Sequence, residues 1–194
     1  MALAYQGPIR DEALAIELHN TLYASQGVVL DGLAHPGSAA AWLKALGDRL
    51  PAGGTGAGPT PEELTALRDV VRDVMQAAID DRAPSRASVV ALNRASARAP
   101  HSPAARWRRD AHPLATIRFH SARRADIVIG AIAADALDLV TGPRRNELRL
   151  CGAPGCVLIF EKDHPRRAWC SAACGNRARQ ARHYRRTRAP STSD

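Results

Sequence analysis

The sequence predicts a mainly α protein with a small β component: a helical N-terminal domain followed by a short C-terminal module. Three observations carry that prediction. Apolar residues recur at helical spacing through most of the first 140 positions. With two Phe, three Tyr and three Trp, the core must be built mainly from Leu, Val, Ile and Ala. All four cysteines fall after Pro143, where the composition changes abruptly.

The elements follow in order. "DEALAIELHNTLYA" (11–24) places Leu14, Leu18 and Leu22 at i, i+4 and i+8 behind acidic residues, which predicts a helix. "GSAAAWLKALGDRL" (37–50) predicts a second helix with Trp42, Leu43 and Leu46 on one side, and the Gly-rich "PAGGTGAGP" (51–59) a loop. At "TPEELTAL", Thr60 is placed as N-cap, Pro61 at the first helical position and Glu63 to complete a capping box, so a helix should run to about Asp81. Residues 85–99 predict a fourth helix with a thin apolar face. "TIRFHSA" (116–122) alternates like a short strand, and 125–140 form a core helix closed by Gly142 and Pro143. The first region thus reads as helical throughout up to the strand. A domain boundary falls near 142–145: residues 1–143 form one domain, 144–188 a second, and 189–194 a polar tail expected to be disordered.

Charge is segregated along the chain. In residues 1–143, 15 Arg and Lys balance 15 Asp and Glu, whereas residues 144–194 carry 12 against 4, so the whole excess of +8 lies in the last quarter. An anionic partner for that segment follows, with nucleic acid first among the classes. Only Lys44 and Lys162 are Lys, so the preference for Arg reflects a chain-wide bias, but such a bias does not gather charge at one end. No stretch approaches a membrane span, and the N-terminus lacks the layout of a signal peptide. A cytoplasmic protein with no membrane partner is expected, and there paired cysteines mean metal or redox chemistry before disulfides.

The cysteines are spaced C-x4-C-x13-C-x3-C, at Cys151, Cys156, Cys170 and Cys174. Two close pairs separated in this way are the layout of a tetrahedral thiolate zinc site. "CGAPGC" supplies two Gly and a Pro, which let the backbone curl as a knuckle with both sulfurs inward. "LRL" and "VLIF" on either side have strand character and can pair as a hairpin. The second pair, at i and i+4, faces both sulfurs one way at the start of a helix, where thiolate is favoured. A knuckle, a hairpin and a ligand-bearing helix start resemble a treble-clef zinc finger. A redox dithiol and an iron–sulfur centre are the rival readings, and His164 or His183 are the alternative ligands. A closed set of four thiolates leaves no position for substrate, so one structural zinc ion per chain would fold a module of about 40 residues too small to bury a core alone.

The segment after the last cysteine, "GNRARQARHYRRTR" (175–188), carries Arg177, Arg179, Arg182, Arg185, Arg186 and Arg188. Ala178 and Ala181 form its small apolar side, and the rest is cationic. Arginine-rich helices contact phosphates and, in a major groove, guanine edges; the other reading is a basic helix docked on an acidic surface. Trp169 reads as a core residue packed over the hairpin.

Taken together, "CGAPGC", the short apolar strand, "RRAWCS", "CGNR" and the Arg-rich helix resemble the CGNR zinc finger, named for the tetrapeptide at Cys174, Gly175, Asn176 and Arg177. That family pairs the finger with an N-terminal region called the ABATE domain, in proteins regarded as stress-induced transcription regulators. "LHNTLYA" (18–24), "DGLAHPGSAAAWLKALG" (31–47) and "ALNRA" (91–95) are similar to landmarks of that domain. "FEKDHPRRAWCS" departs from it, being poorer in Ser and Asp than is usual there. The resemblance implies that the four cysteines are zinc ligands and that the segment from Arg177 onward is a helix binding double-stranded DNA; in the leading reading the first domain senses a small molecule or forms a homodimer. Beside it, Asn176 is expected to hydrogen-bond the knuckle or a cysteine sulfur, and Arg177 either to offset the charge of a zinc–tetrathiolate or to meet a phosphate.

No catalytic set is visible in residues 1–143, where the five histidines are scattered and no phosphate-binding or nucleophile motif occurs, so no enzymatic activity is expected. Asn20 and Thr21, polar residues in an otherwise apolar stretch, either close a buried polar contact or, with Trp42, line a small-molecule pocket; Trp42 is most simply core. An RNA- or protein-binding zinc module is the second functional reading, and a ligand-binding or enzymatic helical domain the third.

Overall fold

The computed structural model describes residues 4–107 and 114–188; the tail at 189–194 lies outside them. Six α-helices and three two-stranded antiparallel hairpins occur among the described residues. No helix among them is long and apolar enough to cross a membrane.

The helical framework starts where the capping signal placed it. Helix α3 (Pro61–Ile79) opens on a capping box, with Thr60 Oγ1 accepting from the Glu63 N–H at 3.2 Å and Glu63 Oε2 accepting from the Thr60 N–H at 3.0 Å. Its buried stripe of Leu64, Leu67, Val71, Val74 and Met75 meets α1 (Leu14–His19), α4 (Arg86–Ala97) and α5 (Arg124–Thr141). From α5, Ile129, Ile132 and Leu139 enter the same core, whereas α4 buries only Leu92, in keeping with its thin apolar face. The α4 terminus and α5 approach so closely that a Cβ added at Gly130 would lie 2.6 Å from the Ala99 Cβ, so this position requires glycine. Helix α2 (Ser38–Leu46) continues into a 3-10 turn at Gly47–Arg49 and buries Trp42 completely.

Two readings of the sequence are corrected. The helix expected over 11–24 is confined to the six residues of α1, because Asp11 sits at φ +57° before it and the chain turns at Asn20. Strands β1 (Leu22–Ser25) and β2 (Val28–Asp31) follow, joined by Gln26 and Gly27 at φ +50° and +82°. Positive φ at both central residues is the signature of the type I′ turn, whose twist matches a tight hairpin. Leu22 therefore belongs to a strand although it falls in helical register with Leu14 and Leu18. The second correction concerns the strand at 116–122. It spans Leu114–Phe119 as β4 and pairs along its whole length with β3 (His101–Arg106), whose Pro103 and alanines give it little strand signature of its own.

Beyond Pro143 the chain forms β5 (Leu148–Leu150) and β6 (Ile159–Glu161), paired antiparallel as the flanking apolar triplets suggest, and then α6 (Ala172–Arg188). Leu148 and Ile159 belong to the same core cluster as Ile16, Val71 and Ile132. The cysteine-bearing segment is thus packed onto the helical domain.

Candidate metal centre

Local backbone rules bring the four sulfurs together. Cys151 leaves β5 with its N–H donating to the Leu158 carbonyl at 2.9 Å, so the chain returns on itself. The Cys156 N–H then donates to the Ala153 carbonyl at 3.0 Å, closing the turn, and Gly155 adopts φ +70°, which a side chain would strain. On the other side, Ser171 caps α6: its Oγ accepts from the Cys174 N–H at 3.2 Å and so fixes Cys174 in the first turn, four residues after Cys170.

The resulting Sγ atoms all lie within 4.8 Å of one another. Individual separations are 3.8 Å for Cys156–Cys170, 3.8 Å for Cys174–Cys156 and 3.4 Å for Cys170–Cys174. Zinc–sulfur bonds of about 2.3 Å at tetrahedral angles place the ligand atoms about 3.8 Å apart, so the cluster already has the dimensions of a four-thiolate zinc site. The electrostatics agree. Hydrogen bonds from Cys156 and Cys170 hold the Cys151 thiol far below its ordinary range. In return, the Cys156 thiol is pushed up to about 11 and the Cys170 thiol higher still, through the same bonds to Cys151. A divalent ion removes that conflict by taking all four as thiolates. One zinc ion fits, with all four positions filled by protein.

Around the sulfurs lies a small apolar shell of Ala153, Leu158 and Phe160, with Trp169 and Tyr23 packed against it. Trp169 reaches both halves of the site, since Cβ atoms added at Gly152 and Gly175 would lie 3.5 and 3.0 Å from its ring. Arg177 Nη2 donates to Cys174 Sγ at 3.3 Å, a contact that offsets thiolate charge. The sequence points Asn176 at the knuckle or a sulfur; in the structure it is exposed, and its Oδ1 accepts from Nη2 of Arg179, three residues on along the same helix face. Arg182, Arg185 and Arg186 are exposed and make no hydrogen bond or ion pair among the described residues. Arg188 ends the helix, its side chain outside the described set.

Asn20, Thr21 and Trp42 are all fully buried. Asn20 Nδ2 donates to the Ile159 carbonyl at 2.9 Å, and Asn20 Oδ1 accepts from the Ile159 N–H at 3.0 Å. A side-chain amide thus stands in for a neighbouring strand and pairs with β6. Thr21 Oγ1 donates to the Leu18 carbonyl at 2.8 Å and accepts from Arg68 Nη1, itself paired with Asp31 at 2.6 Å. That guanidinium, hydrogen-bonded to Asp31, holds the carboxyl below its ordinary range. Trp42 packs in the main core.

Sequence reasoning missed a second tie between the two halves. Glu12 Oε2 accepts from the Glu161 N–H at 3.2 Å, while Oε1 accepts from Arg167, whose guanidinium lies 4.9 Å from the centre of the Phe160 ring. No local pattern announces a pair 155 positions apart; the one available signal was an Arg close to a cysteine-bearing segment.

Comparisons with known proteins agree with this architecture. A family model described as "Putative stress-induced transcription regulator", ABATE, matches residues 12–143, and a CGNR zinc finger model matches residues 147–187. No curated protein matches the chain. The helical domain and the four-cysteine centre thus meet two independent family descriptions over adjoining segments, and the chain belongs to the ABATE family, with a C-terminal CGNR zinc finger.

Proposed function

We propose that the chain is a transcription regulator that binds duplex DNA through α6, held in position by one structural zinc ion. In this reading residues 144–188 are the binding module and residues 1–143 the sensing or dimerising domain. The observation that carries it is a run of exposed arginines along one helix that the rest of the protein does not use. Elsewhere Arg68 is paired with Asp31, Arg98 with Glu63 and Asp126, Arg144 with Glu161 and Arg167 with Glu12. On α6, Arg177 and Arg179 have partners within the finger, whereas Arg182, Arg185 and Arg186 are left to solvent over the following turns. A helix is narrow enough to enter the B-DNA major groove, about 12 Å wide, and such arginines meet phosphates or guanine edges there.

The metal serves position, not reaction. Cys170 and Cys174 fix the start of α6, and Asn20, Glu12 and the shared core fix the finger on the helical domain, so the orientation of the cationic surface is set from two sides. The test is fluorescence anisotropy of zinc-loaded protein with a labelled duplex across a salt series. If Arg182, Arg185, Arg186 and Arg188 neutralise four phosphates, log K falls against log salt with a slope of about −3.6. Tighter binding to double-stranded RNA than to DNA moves the reading to an RNA module, and no binding to either at low salt removes nucleic acid from it.

A further inference from the structure

Away from the zinc, an open groove of about 1040 Å³ runs between the β3–β4 hairpin and α5. The register pairs Ser102 with Arg118, Ala104 with Thr116 and Arg106 with Leu114, so Arg106 and Arg118 stand on one face of the hairpin with half-buried Ser102 and Ala104. Arg106, Ala104, Thr116 and Arg118 all line the groove. Neither arginine has an ion-pair or hydrogen-bond partner among the described residues.

The opposite wall carries the other sign. Asp135 of α5 is half-buried, with Oδ2 accepting from the Ala15 N–H at 2.8 Å. Among the described residues its Oδ1 receives no hydrogen bond. Burial raises this carboxyl above its ordinary range, so a cation placed beside it regains what desolvation removed. Arg144 has strong partners of its own in Glu161, at 2.5 and 2.8 Å, and reaches Asp138 at 3.4 Å. On the α5 side Leu14, Ala131 and Ala134 give the groove an apolar strip, and Arg49, paired with Glu17 at 2.9 Å, also lines it; Ile117 and Phe119 belong to the other face of the hairpin. At the rim stands Trp107, 73 % exposed, an arrangement that leaves a large aromatic surface in water.

We propose that this groove binds a small zwitterion with an aromatic body, of amino-acid or dipeptide size. Its ammonium group meets Asp135 Oδ1, its carboxylate meets Arg118 or Arg106, and its ring lies on the apolar strip beside Trp107. A simple anion would satisfy the arginines but bring like charge towards Asp135, and a simple cation would do the reverse; the zwitterion satisfies both walls. The site is separate from the zinc centre and from α6, so its existence does not depend on how the protein meets nucleic acid.

The experiment compares L-phenylalanine, phenethylamine and 3-phenylpropionate on the zinc-loaded full-length protein, by calorimetry and by Trp107 fluorescence, with Trp107→Phe assigning the signal. L-phenylalanine should bind about tenfold or more tightly than either singly charged analogue, as loss of one ion pair worth a factor of ten requires. Asp135→Asn, which keeps an oxygen for the Ala15 N–H, should abolish the advantage over 3-phenylpropionate. The Arg106→Gln, Arg118→Gln double variant, which removes no ion pair or hydrogen bond among the described residues, should abolish the advantage over phenethylamine. Equal affinity for all three compounds, unchanged selectivity in both variants, or no saturable binding at millimolar concentration would overturn the assignment.

Discussion

Replacing Asn20 with alanine strands the Ile159 N–H and carbonyl in a fully buried position, where no water reaches them. An unsatisfied buried backbone group costs about 1–3 kcal/mol, so losing both partners should cost about 2–6 kcal/mol, a large share of the 5–15 kcal/mol by which domains are ordinarily stable. The loss should concentrate on β6, the strand that leads out of the zinc knuckle. Two assays follow it: urea unfolding read by tryptophan fluorescence, and the rate of zinc transfer to a chromogenic chelator. Both midpoint and zinc retention should fall together. Asn20→Asp sharpens the test, because a carboxylate can accept from the Ile159 N–H but repels the Ile159 carbonyl unless protonated. Its folded-state pKa should lie above the unfolded value of about 3.9, so its penalty grows as pH rises through the folded value and shrinks in acid. A change below about 1 kcal/mol in Asn20→Ala, with zinc release unaltered, would refute the view that this amide staples the finger to the helical domain.

Three further outcomes are expected. Cys174→Ser should lower zinc stoichiometry, measured by metal analysis, and reduce helicity at α6, while the helical domain keeps its cooperative unfolding. His19 is buried, and burial together with Arg72 lowers its pKa to about 3. Between about pH 6.5 and 3 the unfolded chain therefore binds a proton that the native protein does not, so His19 contributes stability that is full above 6.5 and falls by about 1.4 kcal/mol per pH unit below it. Urea titrations at pH 7.5 and 5.5 should differ by about 1.4 kcal/mol more in the native sequence than in His19→Gln, because acid release of zinc affects both alike. Thr60→Ala should cost about 1 kcal/mol by thermal or urea unfolding, since it removes the cap of α3 while leaving Glu63 its bond to Arg98.

What was legible in the sequence was local. The capping box at Thr60 and Glu63, the apolar stripes of α3 and α5, and the spacing of four cysteines each state a short-range rule, and the chain obeys them. The errors arose where a local pattern was overruled by partners far away. Leu22 keeps helical register with Leu18, yet Asn20 between them spends its amide on Ile159, 139 positions on, and the chain turns into β1. Strand β3 contains Pro103 and three residues with little strand preference or none, and exists because β4 pairs with it. Glu17, which no local pattern singles out, is fully buried and accepts from the Arg10 and Glu12 N–H groups and from Arg49. In the finger, spacing gave the ligands but not the role of Asn176, which serves Arg179; Arg177 meets a sulfur, one of the two roles expected of it.

The central claim is that the uncommitted arginines of α6 are the surface that meets duplex DNA. The most direct measurement is the salt dependence of duplex binding by the zinc-loaded protein beside an Arg182→Gln, Arg185→Gln, Arg186→Gln variant of equal zinc content and stability. Three lost phosphate contacts should make the slope of log K against log salt shallower by about 2.7 and weaken binding most at low salt. A variant that binds with the native affinity and slope would contradict the claim and place the contact elsewhere on the protein.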